Sequence, residues 1–271
     1  MEQTLGLMCG AGTLPARMAD EARRRGWRVL AFAFHDPAAV APHADRVVPA
    51  RLDTLGDVLA TLQRERIASV LFSGGFSMTD IVREDATRAD AVRRGVNERA
   101  GSRIDAALAG TVITTLAGFG IDVLDQRPFF GSSLATAGTW TRRVLSEPER
   151  ADVARGFEVA RMMAAAHIGQ TVVMRHGVVV AVEAVEGTTE AIRRGTAHAG
   201  PGAVIVKAAA ADHDYRFDVP GIGLETVRTA LSGGAAVIAV EAGRVAVLDR
   251  ETIIRAADDA GLALVGIDDR G

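Results

Sequence analysis

Short apolar runs alternate with amphipathic stretches through the first half of this chain. Leu5–Cys9, Arg28–Phe32, Asp45–Val48, Ala68–Ser73 and Ile121–Leu124 have the length and character of strands in a buried sheet. Between them, Met18, Ala22 and Arg25 lead a helix towards Gly26. Helical periodicity also spans Leu52–Arg66, Thr79–Ala100 and Arg103–Phe119. Pro15 suits the first turn of the first helix, where its missing N–H costs nothing. This alternation predicts an α/β fold that begins with an N-terminal Rossmann-like domain, a parallel sheet covered by helices.

The pattern changes between Asp125 and Val144, where Gln126–Ser133 is rich in turn residues. Ser146-Glu-Pro-Glu149 then forms a capping box with Pro148 in the first turn, opening a helix that should reach about Ile168. The expected domain boundary lies just before it, dividing 1–143 from 144–271. In the second half, Thr171–Met174 and Val178–Val182 flank a glycine turn as a hairpin. Val204–Lys207 is a strand, and a helix starts near Leu224. Ala236–Val240 is expected to turn at Ala242-Gly243 into Val245–Val247, a second hairpin. Asp249 is expected to cap a helix through Ala257, and Leu262–Ile267 to close the chain as a strand. The second domain is therefore expected to be α/β with strands of mixed direction.

Composition narrows the function. With 271 residues there is room for two domains, and a net charge of −3 argues against a nucleic-acid partner. The single cysteine, Cys9, cannot form an internal disulfide, which fits a reducing compartment. No apolar run approaches ~18 residues and no basic stretch precedes the first one, so a cytoplasmic location is expected.

Four segments could carry chemistry. Gly10-Ala11-Gly12 follows the first strand, where backbone N–H groups at a helix start attract phosphate. Pro15 occupies the third-glycine position of the dinucleotide fingerprint and disfavours a nicotinamide oxidoreductase. Ser73-Gly74-Gly75 ends a second parallel strand at the same sheet edge. Glu183-Ala-Val-Glu186-Gly-Thr188 follows a very apolar strand; its two carboxylates belong on opposite faces unless Gly187 kinks the chain.

The fourth segment runs from Lys207, the only lysine, through Asp214-Tyr-Arg216-Phe-Asp218 to Pro220 and Gly223. In an extended chain Asp214, Arg216 and Asp218 share one face. Two carboxylates flanking a guanidinium could hold a divalent ion and a phosphate together, or could simply form an Asp–Arg ion pair that stiffens the loop. The histidines show no zinc-ligand spacing.

Taken together, Leu5–Pro15, Ile168-Gly-Gln-Thr-Val-Val with Ala181–Thr188, and Arg216-Phe-Asp218-Val-Pro220 with Gly223 resemble the LpxI family of UDP-2,3-diacylglucosamine pyrophosphatases. The resemblance spans almost the whole chain. It implies cleavage of a lipid-linked nucleotide sugar, assisted by Mg²⁺ or Mn²⁺, to lipid X and UMP in lipid A synthesis. It places the substrate between two domains and implies transient contact with the inner leaflet, leaving the oligomeric state open. The family's essential aspartate matches Asp218. From the residues themselves, Arg216 and Lys207 are expected to neutralise phosphate oxygens and Asp214 to join Asp218 as a metal ligand. Gly10, Ala11, Gly12, Ser73, Gly74, Gly75 and Thr188 match ligand-facing stretches. Departures occur at Thr189, where the family has an acid, at Ala210–His213, at Gly101-Ser102-Arg103 and at Met78-Thr79. Such departures leave a second expectation, a binding protein of the same fold without turnover.

Overall fold

Thr4–Cys9 forms β1 and is buried at every position after the first, as a strand covered on both faces must be. In a computed structural model of the chain, the structure describes residues 3–76, 88–101 and 105–268. Part of the helix expected at Thr79–Ala100, the start of that at Arg103–Phe119, and Met78, Thr79, Ser102 and Arg103 lie outside the described residues. Helix α1, Leu14–Arg24, starts with Pro15 in its first turn and buries Pro15, Met18, Ala19 and Ala22, one stripe of a 3.6-residue period. Then come β2 (Arg28–Ala33), β3 (Arg46–Pro49), α2 (Leu55–Arg64), β4 (Ser69–Ser73), α3 (Ala91–Ala100), α4 (Asp105–Gly118) and β5 (Asp122–Val123).

These five strands run parallel in the order β3-β2-β1-β4-β5, the strand order of a Rossmann-type sheet. The chain reverses its direction of travel across the sheet between β1 and β4, so their following loops leave side by side. Met8, Leu30, Phe32, Leu62 and Val70 fill one side of this sheet.

The later elements are β6 (Gly138–Thr139), α5 (Glu147–Ala165), β7 (Thr171–Arg175), β8 (Val178–Val182), α6 (Thr188–Ala199), β9 (Val204–Lys207), β10 (Gly221–Ile222), α7 (Leu224–Ser232), β11 (Val237–Glu241), β12 (Ala246–Val247), α8 (Arg250–Ala260) and β13 (Ala263–Ile267). Six strands form a mixed sheet in the order β6-β13-β11-β9-β7-β8, with β9, β11 and β13 parallel. Side-chain alternation divides the packing cleanly. Val204, Val206, Val237, Ala239, Ala263 and Val265 meet α5 on one face. Ile205, Ile238, Val240 and Leu264 meet Ile192, Val227 and Ile253 on the other. The expected capping box is present: the Ser146 N–H donates to Glu149 Oε2 at 2.8 Å. Among the described residues no helix is long and apolar enough to cross a membrane.

Three expectations are corrected. The second hairpin does not exist, because β12 pairs in parallel with β10 rather than with β11. The Gly243 N–H donates to Ala135 O at 2.7 Å and the Ala246 N–H to Pro220 O at 2.7 Å, so distant segments take the bonds a hairpin would use. Asp249 occupies the N-cap of α8 in a left-handed conformation, φ 53°, and its side chain makes no capping hydrogen bond. A capping side chain reaches the first-turn N–H groups from extended backbone, which Asp249 lacks.

The chain also divides elsewhere than at 143/144. One compact unit comprises Met1–Phe130 with Asp214–Asp218, and the other Gly131–His213 with Val219–Gly271. Residues 134–140 join the second unit because β6 pairs with β13, Leu134 bridges Ala246 and the Trp140 N–H donates to Leu264 O at 2.9 Å. Asp218, expected in the second domain, is grouped with the first unit.

Gly195 lets α6 lie close on the sheet: a Cβ there would sit 2.6 Å from Val173 Cγ2, and Val173 is fully buried. Gly195→Ala should therefore lower stability by about 1–3 kcal/mol through overpacking, despite alanine's better helix propensity. Urea unfolding of the variant would show it as a lower midpoint at unchanged slope.

Candidate active site

Three polar groupings, two in the first unit and one in the second, contain the residues singled out from the sequence. The first joins the loops after β1 and β4. The Gly10 N–H donates to Ser73 O at 2.8 Å, the Ala11 N–H to Gly75 O at 2.8 Å and the Gly75 N–H to Ala11 O at 2.9 Å. The two glycine turns thus form a small antiparallel bridge, and the N–H groups of Gly10 and Ala11 are spent on it. Close approach explains the glycines. A Cβ on Gly10 would meet Gly75 O at 2.5 Å, and Gly74 has φ 82° with Ala11 O 2.5 Å from a Cβ position. The Ser73 hydroxyl at this edge is buried and has no hydrogen-bond partner among the described residues. An orphan hydroxyl costs free energy unless a ligand or water reaches it.

The second grouping is the segment Asp214–Asp218. Tyr215 is buried and Phe217 half-buried, whereas Asp214 and Arg216 are exposed, but residues 215–217 form a turn and not the extended segment expected. Phe217 packs on Phe72 at 4.9 Å and Phe76 at 6.3 Å between ring centroids. Arg216 is closed onto Asp214, its Nε 3.0 Å from Oδ1 and its Nη2 2.7 Å from Oδ2, so both carboxylate oxygens accept from it. The Asp214 hydrogen bond raises the guanidinium's pKa, burial opposes it, and the charges of Asp214 and Asp125 add to the rise. Asp218 is half-buried. Among the described residues no three His, Cys, Asp or Glu side chains group as a metal site.

The third grouping lies in the second unit, around Lys207. Its side chain is 5% exposed, and Nζ lies 2.8 Å from Thr188 Oγ1, 3.2 Å from Thr171 Oγ1 and 3.5 Å from Glu183 Oε2. Thr188 Oγ1 donates in turn to Glu183 Oε1 at 2.8 Å, and the Gln170 N–H donates to Oε2 at 3.3 Å. Burial pushes the Glu183 pKa up. The Lys207 charge, the Thr171 and Thr188 hydroxyls and the Gln170 N–H outweigh it and hold the group below its ordinary value. Glu186 turns away to Arg194, 2.5 Å between Oε1 and Nη2, as Gly187 at φ 84° redirects the chain. Thr188, not Glu186, is the residue this kink brings inward.

Sequence reasoning passed over two acids. Glu241 ends β11 and is 5% exposed; it accepts from Arg161 Nη2 at 2.8 Å and from the Ala209 N–H at 2.9 Å. It therefore fixes the chain leaving β9. A lone acid closing the run Val237–Val240 was the available signal. Asp125 was the other: Arg127 Nε lies 2.9 Å from its Oδ2, and the Gln126 N–H donates to Tyr215 O at 3.0 Å.

The family model for the LpxI N-terminal domain matches residues 4–133, and that for the LpxI C-terminal domain matches residues 136–265. The UDP-2,3-diacylglucosamine pyrophosphatase LpxI of Caulobacter vibrioides is 33% identical over 97% of this chain and 97% of its own length. Among solved structures, N5-carboxyaminoimidazole synthetase of Staphylococcus aureus aligns at TM-score 0.27 and 11% identity, covering 64% of this chain and 39% of that one. Glycinamide-RNase-transformylase T of Mycobacterium tuberculosis aligns at TM-score 0.26 and 18% identity, covering 66% and 44%. Scores this low carry no inference about fold or function.

Glu183 offers a test of the third grouping. Its lowered pKa means that its stabilising contribution is complete above the unfolded value of about 4.3 and is lost as pH falls through the lower folded value. Glu183→Gln strands the Lys207 ammonium and should cost about 3–5 kcal/mol at neutral pH. In urea unfolding followed against pH, the variant should also show a shallower loss of stability on the acid side than the parent chain.

Proposed function

Because this chain belongs to the LpxI family, we propose that it hydrolyses the pyrophosphate of UDP-2,3-diacylglucosamine to 2,3-diacylglucosamine 1-phosphate (lipid X) and UMP, a step of lipid A biosynthesis. The observation that carries this reading is the match along 97% of both chains to a relative of that name. The Arg216-Phe-Asp218 segment supports it, since its Phe217 packs on Phe72 and Phe76 while Arg216 stays exposed.

In this reading Asp218 is the essential carboxylate and orients the attacking water. Arg216 faces the phosphate oxygens, exchanging one anionic partner, Asp214, for another. The Ser73 hydroxyl, buried and without a partner among the described residues, is a donor the ligand satisfies. Lys207 is committed to Glu183, Thr171 and Thr188, so its task is to hold Thr188 and the start of α6 in place.

The donor chemistry fits Mg²⁺ or Mn²⁺, because such ions bind through one or two carboxylates together with substrate phosphate oxygens and water. Asp218 would hold the ion, and Asp214 would join it once Arg216 has moved to phosphate. When bound, the ion neutralises charge on the phosphoryl oxygens. Acyl chains on the substrate bring the protein into transient contact with the inner leaflet of the membrane.

The reading is tested by incubating purified protein with UDP-2,3-diacylglucosamine and Mn²⁺ and measuring UMP. Release is expected, and Asp218→Ala should reduce it by about 10²–10⁴-fold. No release from the parent chain, or equal release from the variant, refutes it. Thermal stabilisation by the lipid nucleotide without UMP release would instead identify a binding protein, the reading favoured by Asp214 being already closed by Arg216.

A further inference from the structure

Two Asp-x-Arg triplets meet in the first unit, Asp125-Gln126-Arg127 and Asp214-Tyr215-Arg216. In each, the carboxylate accepts the backbone N–H two residues on, at 2.8 Å for Arg127 and 3.0 Å for Arg216. In each it also clamps the guanidinium of that same residue. Every triplet therefore folds on itself and aims its arginine. The first also grips the second. Its Gln126 N–H donates to Tyr215 O at 3.0 Å, and the Arg127 guanidinium lies over the Tyr215 ring, 4.5 Å from the centroid. Gln126 and Tyr215 are 2% and 6% exposed, so the ring is packed while the exposed Arg127 guanidinium covers it from the surface side.

Tyr215 and Phe217 are the two residues of the segment directed into the first unit. Phe217 is held by the Phe72 and Phe76 rings, and Tyr215 by Arg127 and Gln126. Residues 215–217 form a turn, and a turn held at both of its aromatic residues cannot swing freely. Holding Phe217 therefore restricts where its chain neighbour Asp218 is presented.

We propose that Arg127 is a positioning residue for Asp218: aimed by Asp125, it clamps Tyr215 and so sets the register and facing of the segment that presents the carboxylate. This rests on the reading of Asp218 as the catalytic group. Arg127 itself needs no contact with the substrate in this role.

The test uses the full chain with Arg127→Ala, Tyr215→Phe, Tyr215→Leu and the double variant Arg127→Ala/Tyr215→Leu. With UDP-2,3-diacylglucosamine, Arg127→Ala should lower kcat by about 10- to 100-fold while KM stays within about 2-fold. Tyr215→Phe keeps the ring and should retain parent activity. Tyr215→Leu should lose as much as Arg127→Ala, and the double variant no more than either single one. An unchanged kcat, a loss confined to KM, or additive losses would overturn the proposal.

A second measurement does not depend on turnover. Tyr215 is the only tyrosine, so incorporated 3-fluorotyrosine gives a single ¹⁹F resonance. Arg127→Ala should shift and narrow that resonance as the ring is released. If it does not move, the proposal fails even in an active enzyme. If it moves while the parent chain hydrolyses nothing, the clamp stands and the hydrolase reading fails.

Discussion

The seating of Tyr215 and Phe217 in the first unit is the constraint on which the candidate active site depends. The flanking residues, up to His213 and from Val219, are grouped with the second unit, yet these five residues pack on the first. Two aromatic anchors one residue apart hold the turn at 215–217 and leave Asp214 and Arg216 exposed. Each anchor combines burial with a specific contact: ring packing for Phe217, and a cation–π contact of about 0.5–1 kcal/mol at an exposed site for Tyr215. The polar face thus owes its orientation to the apolar one.

In the second unit the corresponding constraint is electrostatic. A buried ammonium is costly unless its donors are satisfied, and Lys207 meets two threonine hydroxyls and the Glu183 carboxylate. Those partners come from β7, from the loop after β8 and from the start of α6, so one cation ties three separate pieces of chain to the end of β9. Glu241 does the same with opposite charge one strand over, holding Arg161 of α5 and the backbone of Ala209. Both groups stand where parallel strands end, the place at which α/β sheets present chemistry. Here their first effect is to fix the loops that follow.

The glycine turns after β1 and β4 show the same logic in backbone form. The N–H groups of Gly10, Ala11 and Gly75 donate to carbonyl oxygens of the facing turn, which shapes the sheet edge and leaves the buried Ser73 hydroxyl without a partner among the described residues. The sequence pattern suggested free N–H donors there. Spacing alone could not reveal that two loops, separated by more than sixty residues, would satisfy one another.

By itself the sequence determined the local order of the protein. Period-2 and period-3.6 patterns located β1, β2, β4, β7, β8, β9, α1 and α5 to within a few residues, and Ser146 with Glu149 marked the start of α5. Each of those signals is short-range and chemical, so it survives without knowledge of the rest of the chain. The extended alternation expected of Asp214, Arg216 and Asp218 was not met, because residues 215–217 form a turn. Partner choice was decided only by the tertiary structure. It paired β12 with β10 in place of β11 and carried residues 134–140 into the second sheet. It closed Arg216 on Asp214, buried Lys207 against Glu183, and brought Asp125-Gln126-Arg127 to the Tyr215 segment. Hydrogen-bond and charge pairing between residues far apart in the chain depends on which surfaces meet once the cores have formed, and no local pattern encodes that meeting.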